Sequence, residues 1–175
     1  MKFRTLRADE INVRIQSCNC YNDNKYCAIY LLYKDARCDM NILDETVGAM
    51  NWQREHQLIG DRLYCTVSIY DENKNIWVSK QDVGTESYAE KEKGQASDSF
   101  KRACFNLGIG RELYTAPFIW VKAEDTEIVR GNIGKFNCKD SFTVEKITYN
   151  AEGHIDGLAI VNRNNKRVFT KMPKK

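Results

Sequence analysis

Apolar and polar positions change their period several times along this chain. Between residues 11 and 20 they alternate, with Ile11, Val13 and Ile15 on one side and Asn12, Arg14 and Gln16 on the other, as in a half-buried strand. The turn cluster Asn22-Asp23-Asn24-Lys25 separates this run from the more apolar residues 26–33, and together they predict a β-hairpin. Asp35 is placed to cap a short helix reaching about Val47, with Met40, Leu43 and Val47 at helical spacing and Gly48 as its stop. Residues 50–59 and 63–70 predict two strands joined at Gly60-Asp61, and residues 76–83 a third after a polar turn.

The longest helical pattern lies within residues 82–113. Ala96, Phe100, Ala103, Cys104 and Leu107 recur at offsets of three and four and mark a core-facing stripe. Glu86, Glu90 and Glu92 load its start with acid, Lys101-Arg102 come near its end, and both suit the helix dipole. Gly108 and Gly110 supply a stop. Three antiparallel strands followed by a helix predict an α+β fold in which the helix covers one face of the sheet. Beyond Leu113 the pattern weakens. Residues 115–121 are apolar and 123–140 read as a polar loop. Residues 142–149, 154–161 and 167–171 predict a small C-terminal β-meander. The expected organisation is a core over residues 1–120, with 121–175 as an attached loop and meander.

With 175 residues, 42% hydrophobic and 29% charged, the composition is that of one globular domain. A net charge of +3 permits a nucleic-acid partner without demanding one. No apolar segment near the start resembles a secretory signal and no run of about 18 apolar residues exists, so neither export nor a membrane span is expected. Seven cysteines are then read as reduced thiols of a cytoplasmic protein. Cys18 and Cys20, followed by Cys27 and Cys38, lack the spacing of a structural zinc site. His56 and His154 are isolated, and Gly131-Asn132-Ile133-Gly134-Lys135 is too short for a phosphate-binding loop. No catalytic residue, metal or cofactor is expected, and a metal-dependent nuclease using the acidic residues is the alternative from another class.

The basic residues offer more. Lys93, Ser97 and Lys101 lie four apart on one side of the long helix, so Lys93, Lys101 and Arg102 could project from a packed helix toward an anionic ligand. The plainer reading is an amphipathic helix with ordinary surface charges. Arg37 falls at a helix start, where a guanidinium opposes the dipole; it serves a ligand there or pairs with Asp35 or Asp39. Arg14, on the polar face of the first strand, could extend a basic track.

DVGTES at residues 82–87 and EKEKGQASDSFKRACFNLG at 90–108 resemble the Rad fifty-two-type single-strand annealing proteins, most closely their phage Sak-like branch. RCDMNILDETVGAMNW at 37–52 is similar to that family's short helix, its glycine and its following tryptophan, with one residue more. The resemblance covers about residues 8–115. It implies a protomer that assembles into a homo-oligomeric ring. Single-stranded DNA would lie in a basic groove, phosphates inward and bases exposed for ATP-independent annealing in recombination and double-strand break repair. By this resemblance Lys101 and Arg102 match the pair that grips the phosphate backbone, and Arg37 matches an arginine that also touches the strand. Phe105 stands where eukaryotic members carry a further arginine, so that phosphate contact is either missing here or supplied elsewhere, by Lys93 or Arg111. A bacterial host cytoplasm and a single-strand-binding protein as partner are further expectations. A DNA-end-protecting strand binder is the nearest alternative.

Overall fold

The computed structural model describes residues 1–22, 25–85, 91–122, 126–130 and 136–173. Asp23 and Asn24 of the first turn, Glu86, Glu90 and the Gly131–Lys135 segment lie outside the described residues. In chain order the elements are β1 (Asn12–Asn22), β2 (Lys25–Tyr33), α1 (Ala36–Val47), β3 (Trp52–Ile59), β4 (Arg62–Asp71) and β5 (Ile76–Val83). They continue with α2 (Lys91–Leu107), β6 (Ile119–Lys122), β7 (Ile128–Arg130), β8 (Phe136–Cys138), β9 (Phe142–Tyr149), β10 (Ile155–Asn162) and β11 (Arg167–Lys171). The fold is α+β, with the expected hairpin, short helix, three-stranded antiparallel sheet, long helix and C-terminal meander. No described helix is long and apolar enough to cross a membrane.

The chain forms two compact units, one of residues 1–5 and 35–111, the other of 6–34 and 112–175. In the first, Asp35 caps α1 through Oδ1, which accepts the backbone N–H of Arg37 at 2.8 Å and of Cys38 at 3.1 Å. Gly48 ends the helix with φ of 85°, a left-handed conformation that glycine adopts without strain. The buried face of α1 is Cys38, Asp39, Ile42 and Leu43, so of the expected stripe only Leu43 is fully buried; Met40 and Val47 lie at its margins. Strands β3, β4 and β5 form the antiparallel sheet, with Cys65 opposite Asp82 and Val67 opposite Lys80. Residues at even two-residue steps share a face. Cys65, Val67 and Ile69 therefore turn to one side, where Phe100, Ala103 and Cys104 of α2 complete a buried layer. Trp52 extends that layer. Its ring stacks on Phe100 at 6.1 Å, and its Nε1 donates to Asp44 of α1 at 2.7 Å.

The second unit departs from expectation. The hairpin and the meander share one six-stranded sheet, ordered β11-β10-β9-β1-β2-β6. The meander is thus continuous with the hairpin, and the expected boundary at residue 120 falls inside β6. Pairing of Asn12 with Thr143 makes the join. The supposed loop over 123–140 contains the β7–β8 ribbon. Three-residue strands are too short to show a period, and so escape a reading based on periodicity. Tyr30 packs on Phe142 at 4.5 Å in this unit's core. Glu112, itself buried, accepts the Leu6 N–H at 2.7 Å, while the Tyr149 hydroxyl donates to the Leu6 carbonyl at 2.7 Å. These two bonds satisfy the backbone of a buried residue that has no ladder partner.

Candidate nucleic-acid interface

α2 is held to its sheet through a set of close polar contacts at the end of β5. Arg102 Nε donates to Asp82 Oδ1 at 3.2 Å. Asn106, one turn on, donates through Nδ2 to Asp82 Oδ2 at 3.1 Å and to the Gln81 carbonyl at 3.2 Å. Gly84 lies directly under the helix: a Cβ there would stand 2.1 Å from the Gln95 carbonyl oxygen and 2.8 Å from the Ser99 nitrogen. Only glycine permits this approach. Thr85 then ties the departing chain to Asp98, its N–H and Oγ1 donating to Oδ2 at 2.9 and 3.0 Å. At the other margin of the helix His56 Nε2 contacts the Ala96 carbonyl at 3.1 Å, and the Arg54 guanidinium lies 4.8 Å from the Phe100 ring centroid. Much of the motif in residues 82–106 is therefore a helix–sheet joint in this chain.

The basic residues stand around that joint. Successive residues of a helix turn by about 100°. With Phe100 against the sheet, Lys101 and Arg102 flank the outward side of α2, and Phe105 falls between them. Lys101 is half-buried and makes no ion pair or hydrogen bond among the described residues. Arg102 is partly exposed and shares its charge with Asp82. Lys93, two turns earlier, is exposed. Arg111 acts as a helix cap: its Nε and Nη2 donate to the carbonyls of Phe105 and Asn106, each at 2.8 Å, and its guanidinium lies 5.6 Å from the Phe105 ring centroid. Cations at this end suit the dipole, and Arg111 fills the role expected of Lys101-Arg102, which lie more than a turn from the end of α2. Of the acidic residues expected at its start, Glu92 is in the first turn.

Arg37, with its side chain 82% exposed, pairs with its own capping residue: Nη2 is 3.2 Å from Asp35 Oδ2. Burial would raise the Asp35 pKa, but the N–H groups of Cys38 and Arg37 and the Arg37 guanidinium together outweigh it and hold the carboxyl below its ordinary value. Arg14 is exposed in the other compact unit, 5.9 Å from the Tyr33 ring centroid. Lys93, Lys101, Arg102, Arg111 and Arg37 thus share a unit, and four of them share α2 and its C-terminal cap. Asp82, Asn106 and Arg54 carry no signal in the sequence strong enough to mark them as site residues. Asp82 is legible in part, because it shares a sheet face with Lys80 and Val78, and Arg102 and Asn106 are four apart on one helix face.

Among the described residues no three His, Cys, Asp or Glu side chains cluster closely enough to hold a metal ion. Cys65 is buried under α2, and burial pushes its thiol up to about 11. Cys18 is raised as well, by burial and then by the neighbouring Cys138 thiol; the Cys20 side chain lies outside the described ones. Comparison with protein-family models, curated proteins and solved structures returns no match.

Proposed function

We propose that this protein binds single-stranded DNA and anneals complementary strands without nucleotide hydrolysis, as an oligomer. One observation carries the reading. Lys101 and Arg102 stand on the outward side of a helix on which Gln95, Asp98, Ser99 and Asn106 are engaged in or pressed against the joint with β5. Lys101 has no partner among the described residues, so an arriving phosphate displaces nothing there. Arg102 keeps its Nη groups for a second phosphate while Nε holds Asp82. The similarity of residues 82–108 to the annealing proteins supports the same assignment.

Neutralising phosphates leaves the bases free, and base pairing then supplies the free energy of annealing. The test is fluorescence anisotropy of a labelled oligothymidine across a salt series, followed by pairing of complementary oligonucleotides without ATP. Binding should weaken steeply with salt, and Lys101→Ala should lower both affinity and salt slope. Wild-type protein without affinity for the strand would refute the proposal. Binding that protects ends without pairing would favour the end-protecting reading, and divalent-ion-dependent cleavage would favour a nuclease.

A further inference from the structure

β8 lies against β1, and the register of the sheet shows which of their residues are level. Asn12 of β1 pairs with Thr143 of β9 in an antiparallel ladder, so the chain leading into β9 runs back alongside β1. Five residues back from Thr143 and five on from Asn12, Cys138 comes level with Ser17. The bulge that adds Gln16 to β1 moves that position on to Cys18. Residues level on neighbouring antiparallel strands have Cα atoms about 4.5–5.5 Å apart, within the range of about 4.4–6.8 Å that a disulfide spans.

Both side chains turn to the same side. Cys18 is opposite Ala28 in the hairpin, and Ala28 shares a strand face with Tyr30, whose ring packs on Phe142. Two-residue steps back from Phe142 lead to Asp140, whose side chain is 2% exposed, and then to Cys138. Cys138 Sγ accepts the Asp140 N–H at 3.4 Å. The Tyr30 hydroxyl is raised by burial and then by the Cys138 thiol, with Cys18 also contributing, as expected of two thiols gathered beside it. Cys18 and Cys138 are half-buried and within reach of a small solute, whereas Cys27, Cys38, Cys65 and Cys104 are buried. Cys27 is also on the opposite face of β2 from Ala28.

We infer that Cys18 and Cys138 are a thiol pair that closes to a reversible disulfide and pins β8 to β1. The oxidant is a small-molecule disulfide such as oxidised glutathione. The Cys18 thiolate attacks one of its sulfurs, forming a mixed disulfide and releasing one glutathione thiolate. The Cys138 thiolate then attacks the Cys18 sulfur and releases the second. Two electrons pass from the cysteine pair to glutathione, and the two thiol protons end on the departing thiolates. Burial raises both cysteines above their ordinary value, which keeps them protonated and slows exchange near neutral pH. The pair therefore answers to sustained oxidation. In the reduced state the flanks of the β7–β8 ribbon are held by Arg163, which pairs with Glu127 and Asp140. The disulfide adds a covalent link between segments more than a hundred residues apart. Lys101 and Arg102 belong to the other unit, so the inference stands apart from strand binding.

Peptide mapping tests it. Folded wild-type protein is equilibrated with oxidised glutathione, alkylated with iodoacetamide and digested with trypsin without reduction. Residues 15–25 should be found linked to residues 136–139. Fragment ions split at Asn19 should place the bond on Cys18 rather than Cys20, and dithiothreitol should release it. The link should be absent from Cys18→Ser and Cys138→Ser and present in Cys20→Ser. Oxidised wild type should melt about 4 °C or more above the reduced protein, a shift missing from Cys18→Ser. No linked peptide, a bond on Cys20, a glutathione adduct left standing on Cys18, a link confined to a dimer band on a non-reducing gel, or a linked protein that melts no higher would each overturn the inference. The mapping is made on wild-type protein, so it decides the question even where a serine variant fails to fold.

Discussion

Replacing Gly84 by alanine should loosen α2 from its sheet. The added Cβ would stand 2.1 Å from the Gln95 carbonyl oxygen, a separation that must grow by more than an ångström to reach the 3.4 Å of ordinary contact. Ser99 N, at 2.8 Å, obstructs it as well. Both obstacles are backbone atoms of a helix, so no side chain can rotate aside; the whole N-terminal half of α2 must lift. That movement would uncover Phe100 and strain the Thr85–Asp98 and Arg102–Asp82 contacts together. Overpacking of a core costs about 1–3 kcal/mol, and an unyielding backbone puts this site at about 3 kcal/mol. At about 2–4 °C per kcal/mol for a chain of this length, Tm should fall by about 6–12 °C. Thermal and urea melts followed by circular dichroism measure it. A Tm within about 2 °C of wild type, with an unchanged urea midpoint, would show that α2 does not press on Gly84 and would remove the joint from the account.

The remaining predictions concern charge and titration. Arg102→Ala should cost at most about 1 kcal/mol of stability, because its pair with Asp82 is partly exposed, yet it should flatten the salt dependence of strand binding by about 0.7 for each phosphate it no longer neutralises. Arg111→Ala should lower stability modestly, by about 0.5–1 kcal/mol, by stripping the Phe105 and Asn106 carbonyls of their donors. Asp35→Ala should cost about 1 kcal/mol by removing the cap of α1. The Asp35 carboxyl is depressed in the fold, so its contribution is complete above the unfolded value near 4 and disappears as pH falls through the folded one. An acid titration should therefore destabilise the wild type more than the variant. Cys65 has the opposite sign. Its thiol is raised from 9.0 to about 11, so the stability it contributes is full below pH 9 and is lost as pH rises through 11. Native protein treated with iodoacetamide near neutral pH should leave Cys65 unmodified by peptide mass spectrometry.

Local pattern determined nearly every element of the first unit. Alternation located β3, β4 and β5, offsets of three and four located α2, and Asp35 and Gly48 bracketed α1, because each signal comes from a side chain acting on its own neighbourhood. Which side of α2 is buried was equally legible in Phe100, Ala103 and Cys104. Contacts between residues far apart in the chain had no such signal. That the hairpin joins β9 in a common sheet, and that β7 and β8 pair at all, followed from packing across more than a hundred residues or from strands too short for a period. The candidate site divides the same way. The sequence placed Lys101 and Arg102 on a helix, but only the tertiary structure decided that Arg102 reaches Asp82, that Arg111 is occupied as a cap, and that Arg14 belongs to a different unit. A side chain's charge is a property of the residue; whether that charge is already answered depends on which strand folding has brought beside it.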